Sequence, residues 1–78
     1  MPQNDYLVTL KLYAPNANGR IILLLDNDEQ LSTGFSSSVD VQTISITVTN
    51  HEINGIRLTI DSDIGSFIYV DNLCVISQ

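Results

Sequence analysis

The chain has 78 residues, of which 44% are hydrophobic and 15% charged. That balance excludes a disordered chain, and the length bounds the protein to one small domain that buries only about 60% of its unfolded surface. Nine acidic residues against three basic ones give a net charge of −6, a field that repels phosphate backbones and anionic bilayers, so neither nucleic acid nor a membrane is an expected partner.

Domains this small often need a disulfide, a metal or a partner subunit. Cys74 is the only cysteine, so a disulfide within the chain is excluded. The opening "MPQNDY" has neither the basic region nor the apolar core of a signal peptide. The longest apolar run, "IILLL", is far too short to span a bilayer.

The first strand expected is "DYLVTLKLY". Alternation puts Tyr6, Val8, Leu10 and Leu12 on one face and Thr9 and Lys11 on the other. "APNANG" then breaks the pattern with turn residues. The second strand, "RIILLLD", is apolar on both faces. "NDEQLSTGFSSS" reads as a long polar loop. The third strand, "VQTISITVT", alternates most clearly, with Ile44, Ile46 and Val48 opposed to Thr43, Ser45, Thr47 and Thr49. "NHEING" supplies a turn in which Asn54-Gly55 suits positive φ. The fourth strand, "IRLTID", points Ile56, Leu58 and Ile60 inward and Arg57, Thr59 and Asp61 outward. "SDIGS" turns again, and "FIYVDNLCVI" is the fifth strand. It too is apolar on both faces, and a bulge at Asp71-Asn72 would accommodate its polar pair.

Short strands at regular spacing, with polar turns between them, predict an all-β antiparallel sandwich of about five strands in a single domain, residues 1–78.

The ending "SFIYVDNLCVIS" resembles the last strand of carbohydrate-binding modules with the galactose-binding-like jelly roll, which often close on Phe-Tyr-Ile-Asp-Asn-Val. "NDYLVTLKLYAPNANGRIILLLDN", "VQTISITVT" and "INGIRLTIDSDIGSF" resemble earlier segments of the same family, in the same order. The family's domains are longer, and this chain begins about where their third or fourth strand does. The resemblance implies a jelly roll, a non-catalytic carbohydrate-binding role and an extracellular setting. It also implies a structural calcium near Asp71, whose matching N-terminal carboxylates are not evident here. This chain has no Trp, and Val41 stands where the family often has one.

The residues themselves offer few alternatives. Asp71 could equally serve its own bulge by accepting backbone N–H bonds. "DNDE" and "DSD" resemble metal loops, but counting from Asp26 puts Leu31 and Ser37 where an EF-hand needs Gly and Glu. They read as solvated turns. His51 beside Glu52 could pair with Cys74 as a thiol dyad, but Cys74 among Leu73 and Val75 reads as a small core hydrophobe. No enzyme is expected.

Tyr13, Phe35 and Tyr69 are the rings available to stack on a sugar. Thr43, Ser45, Thr47, Arg57 and Thr59 would share one polar face if the third and fourth strands pair. The alternative to a carbohydrate module is a self-assembling structural sandwich without a small-molecule ligand. Under either reading the doubly apolar "IILLL" strand predicts a homodimer.

Overall fold

The computed structural model describes residues 1–61 and 66–78. Six strands form two antiparallel three-stranded sheets: β1 (Asn4–Tyr13), β2 (Gly19–Leu25), β3 (Gln30–Phe35), β4 (Gln42–His51), β5 (Ile53–Ile60) and β6 (Tyr69–Ser77). One sheet runs β4-β1-β6 and the other β3-β2-β5. A single 3₁₀ turn, Asp26–Asp28, is the one helical element among the described residues.

The alternation in β1 sets the core. Tyr6, Val8, Leu10 and Leu12 are all buried, and Ile46 and Val48 of β4 meet them from the neighbouring strand. Ile21, Leu23, Leu25 and Phe35 supply the other sheet's half. Ala14 and Ala17, in the β1–β2 connection, are buried as well. The Tyr6 hydroxyl reaches out of the core and donates to the Pro2 carbonyl.

The strand that composition conceals is β3. "QLSTGF" is mostly polar, and its inner face carries only Leu31, Thr33 and Phe35. It pairs with β2 from Gly19↔Phe35 to Leu24↔Gln30. The turn between them places Asn27 and Asp28 at φ 57° and 59° and closes with the Glu29 N–H on the Asp26 carbonyl at 3.1 Å. Two consecutive left-handed residues match the twist of a tight hairpin, and Asn and Asp tolerate that conformation best after glycine.

Two other expectations are corrected. The third and fourth predicted strands, β4 and β5, do not pair: a single residue, Glu52, separates them, and they lie in different sheets. The positive φ near that junction falls on Asn50, at 57°, not on Asn54-Gly55, which lies within β5. The "IILLL" strand is central, with β3 and β5 on its two sides. Its outer residues Ile22 and Leu24 are half-buried between those neighbours. Most of the expected "SDIGS" turn, residues 62–65, lies outside the described residues.

The bulge expected in β6 is present. Thr9 pairs with Cys74 and Lys11 with Asp71, so Asn72 and Leu73 together oppose Leu10. Asn72 sits at φ 54°, and its N–H donates to Asp71 Oδ1 at 2.8 Å.

Candidate functional site

The outer face of the β4-β1-β6 sheet follows from register. Odd-numbered residues of β1 point away from the core, and they align with Thr47, Ser45 and Thr43 on β4. On β6 the bulge resets the parity, so that Cys74 opposes Thr9, Asp71 opposes Lys11 and Tyr69 opposes Tyr13. Without the extra residue, Asp71 would not share a face with both Lys11 and Cys74.

At the end of this face, Lys11, Tyr13, Val41, Tyr69, Asp71 and Asn72 line an open cleft of about 480 Å³. The Tyr13 and Tyr69 rings lie near-parallel, 15° apart, with centroids separated by 6.5 Å. Phe67 meets Tyr69 edge-on at 5.6 Å and 70°. Tyr69 is 67% exposed, so most of its ring faces solvent. Cross-strand pairing and the Phe67 edge fix its position. The cleft wall is therefore mostly apolar and aromatic, with one ammonium, one carboxylate and one amide at its rim. That is the usual make-up of a small-molecule site.

Of the predicted ligand residues, Tyr13 and Tyr69 come together, and Thr43 and Ser45 lie on the same face, Thr43 directly across from Lys11. Phe35 does not join them. It is 6% exposed, packed in the core against Gly19. Arg57 and Thr59 do not join them either. They lie on β5, opposite Ile22 and Arg20, on the outer face of the other sheet. Val41, Lys11, Asn72 and Phe67 belong to the cleft or its support and were not anticipated. The parity of β1 already puts Lys11 beside Tyr13, whereas Asn72 becomes visible only once the β6 register is known.

Asp71 uses one carboxylate oxygen to cap its own bulge. Asp5, the other acid considered with it, lies at the far end of β1, six residues or about 20 Å from Lys11 at strand spacing. There it accepts the Asn50 N–H at 2.8 Å. Cys74 is exposed on β6, not a core residue, and it pairs with Thr9 while His51 pairs with Asn4 at the strand's other end, so the two form no dyad.

His51 has a different engagement. Its Nδ1 lies 2.8 Å from Asp26 Oδ1 and its Nε2 3.0 Å from Glu29 Oε2. A charged imidazolium donates to both carboxylates, whereas a neutral ring donates to one. The Glu52 N–H also donates to Asp26 Oδ1, at 3.1 Å. The His51 hydrogen bond is the largest influence holding the Asp26 carboxyl below its ordinary pKa. The cluster ties the β2–β3 turn to the β4–β5 junction. The "DNDE" acids thus form a turn, as its residues suggested, and two of them clasp His51.

No protein-family model, curated protein or solved structure matches the chain.

Proposed function

We propose that the protein is a non-catalytic carbohydrate-binding module whose site is the Tyr13–Tyr69 cleft. The observation that supports this most is the near-parallel tyrosine pair beside Lys11, Asp71 and Asn72 in one open cleft. A pyranose has an apolar C–H face and a polar hydroxyl rim. The electron-rich face of an exposed tyrosine attracts the C–H face. Charged and amide groups hydrogen-bond the rim, and bonds to a charged partner are the stronger ones.

In this reading Tyr69 is the stacking ring, with Tyr13 extending the aromatic surface. Lys11 donates to sugar hydroxyls. Asp71 accepts from them through the oxygen that does not cap the bulge, and Asn72 does either. Thr43 and Ser45 continue a hydroxyl surface along the sheet for a longer chain. Lys11 and Asp71 offset each other's charge, and the chain as a whole carries −6, so a neutral sugar suits the site better than an anionic one. The order of segments that resembles galactose-binding-like modules supports the same conclusion, with a jelly-roll relationship as part of the proposal. A structural calcium at Asp71 is not part of it.

Glycan-array binding tests the reading. Binding to one or more neutral oligosaccharides is expected, and Tyr69→Ala should remove it while the β-type circular dichroism is kept. Binding unchanged in Tyr69→Ala would refute the assignment of the cleft.

A further inference from the structure

β6 is apolar on both faces, as "IILLL" is, but the two strands meet different fates. β2 is central and shielded on both sides, whereas β6 is an edge strand. Outside the cleft, Val70, Leu73 and Ile76 are 43%, 51% and 49% exposed. Val70 opposes buried Leu12 and so faces the core side, while Ile76, opposite Leu7, faces outward. Apolar surface is therefore open on both faces of a strand whose outer edge also carries main-chain groups that no strand among the described residues pairs.

We infer that β6 pairs antiparallel with β6 of a second copy, joining two β4-β1-β6 sheets into one six-stranded sheet about a two-fold axis. A partner laid on one face of β6 would cover only half of its apolar side chains. A partner strand added at the edge covers both faces at once and satisfies the main chain. Such a strand must itself be apolar on both faces. Among the described strands only β2 and β6 meet that condition, and β2 already has a neighbour on each side.

Val70, Leu73 and Ile76 leave roughly 250 Å² per copy open, about a third of the ~800 Å² that each partner gives to an interface of standard size, and main-chain bonds along the two edges add to it. Asp71 is the only charged residue of β6. With the axis at Cys74, beyond the bulge, the two Asp71 carboxylates stand about 20 Å apart, well outside a Debye length of about 8 Å. The dimer thus forms despite the net charge of each copy. The same centring sets Cys74 opposite its copy at a Cα separation of about 4.5–5.5 Å, within the span of a disulfide. The inference stands independently of the ligand assigned to the cleft.

Sedimentation velocity of the reduced protein at about 50 µM, a working range for affinities of this order, should show a dimer. Leu73→Lys and Ile76→Lys should each weaken it about 100-fold, the loss of an interface anchor, with unchanged circular dichroism. Leu58→Lys, an exposed apolar site on the β5 edge, should leave it intact. Copper–phenanthroline, which takes two electrons from the facing thiols, should trap a Cys74–Cys74 dimer, and Cys74→Ser should remain a non-covalent one. A monomer under these conditions overturns the inference. So does a dimer that survives both β6 lysines, or one that Leu58→Lys dissolves.

Discussion

Gly19 and Gly34 make a matched test of the β3-β2-β5 sheet. They lie on adjacent strands, one residue out of register, since Gly19 opposes Phe35 and Gly34 opposes Arg20. A Cβ built on Gly19 would lie 2.0 Å from the Thr59 carbonyl oxygen and 2.7 Å from Phe35 Cζ. The nearest atom to a Cβ on Gly34 is the Gly19 carbonyl oxygen, at 3.7 Å, an ordinary contact. For Gly19→Ala the ring could swing aside, but the Thr59 oxygen belongs to the main chain of β5. Relief requires β2 and β5 to part by more than an ångström at a rung of the ladder. Overpacking of this kind costs about 1–3 kcal/mol, and a main-chain clash falls at or above the top of that range. A domain of 78 residues has a total stability of roughly 4–12 kcal/mol. With a urea slope near 1 kcal/mol/M for so small a chain, Gly19→Ala should lower the unfolding midpoint by about 3 M or abolish folding. Gly34→Ala should change stability by less than about 1 kcal/mol, because a compatible Gly→Ala change also restricts the unfolded chain. Urea titration followed by far-UV circular dichroism reads both. Combining Gly19→Ala with Phe35→Leu should not restore stability, since the carbonyl remains. Equal effects at the two glycines, or rescue by Phe35→Leu, would refute the assigned β2–β5 register.

Asp26 has its pKa lowered in the fold, first by the His51 hydrogen bond, so its contribution is complete above its unfolded value of 3.8 and is lost as pH falls through the lower folded value. A melting-temperature profile from pH 6 to pH 2 should therefore decline less steeply below about pH 4 for Asp26→Asn than for the unaltered chain. Asn72→Gly should be neutral or slightly stabilising and Asn72→Ala should cost about 1 kcal/mol by thermal denaturation, because the bulge holds this residue at positive φ. Leu23→Ala should cost about 2–5 kcal/mol and Leu24→Ala clearly less, as only Leu23 is fully buried; equal losses would mean that β2 has no preferred face.

The alternation of β1 and β4 made the core half of one sheet legible, because strands with one wet face segregate their side chains by parity. The bulge at Asp71-Asn72 was legible for a related reason: two polar residues in an apolar strand need a local solution. β3 was not legible. Its composition is that of a loop, and it becomes a strand because the Asn27-Asp28 turn folds it back on β2. Phe35, read as part of that loop, was for the same reason taken as a free ring when it is a core residue. Arg57 was misplaced by a different failure. Parity shows which residues of a strand share a face, but not which strands share a sheet, and the chain changes sheets at Glu52. The cleft lies between these cases. Tyr13 and Tyr69 were visible as rings, but their juxtaposition depends on a β1–β6 register between the two ends of the chain. The His51 clasp was hidden likewise, since Asp26 and Glu29 meet His51 only through the packing of two turns.

The measurement that bears most directly on the proposed function is a backbone amide NMR titration of the protein with neutral oligosaccharides. Shifts should saturate and concentrate at Lys11, Tyr13, Val41, Tyr69 and Asn72, extend toward Thr43 and Ser45 with longer chains, and vanish in Tyr69→Ala. Saturating shifts centred on Arg20, Arg57 and Thr59, on the outer face of the other sheet, would contradict that function, as would no shift at millimolar sugar, about the weakest affinity worth the name.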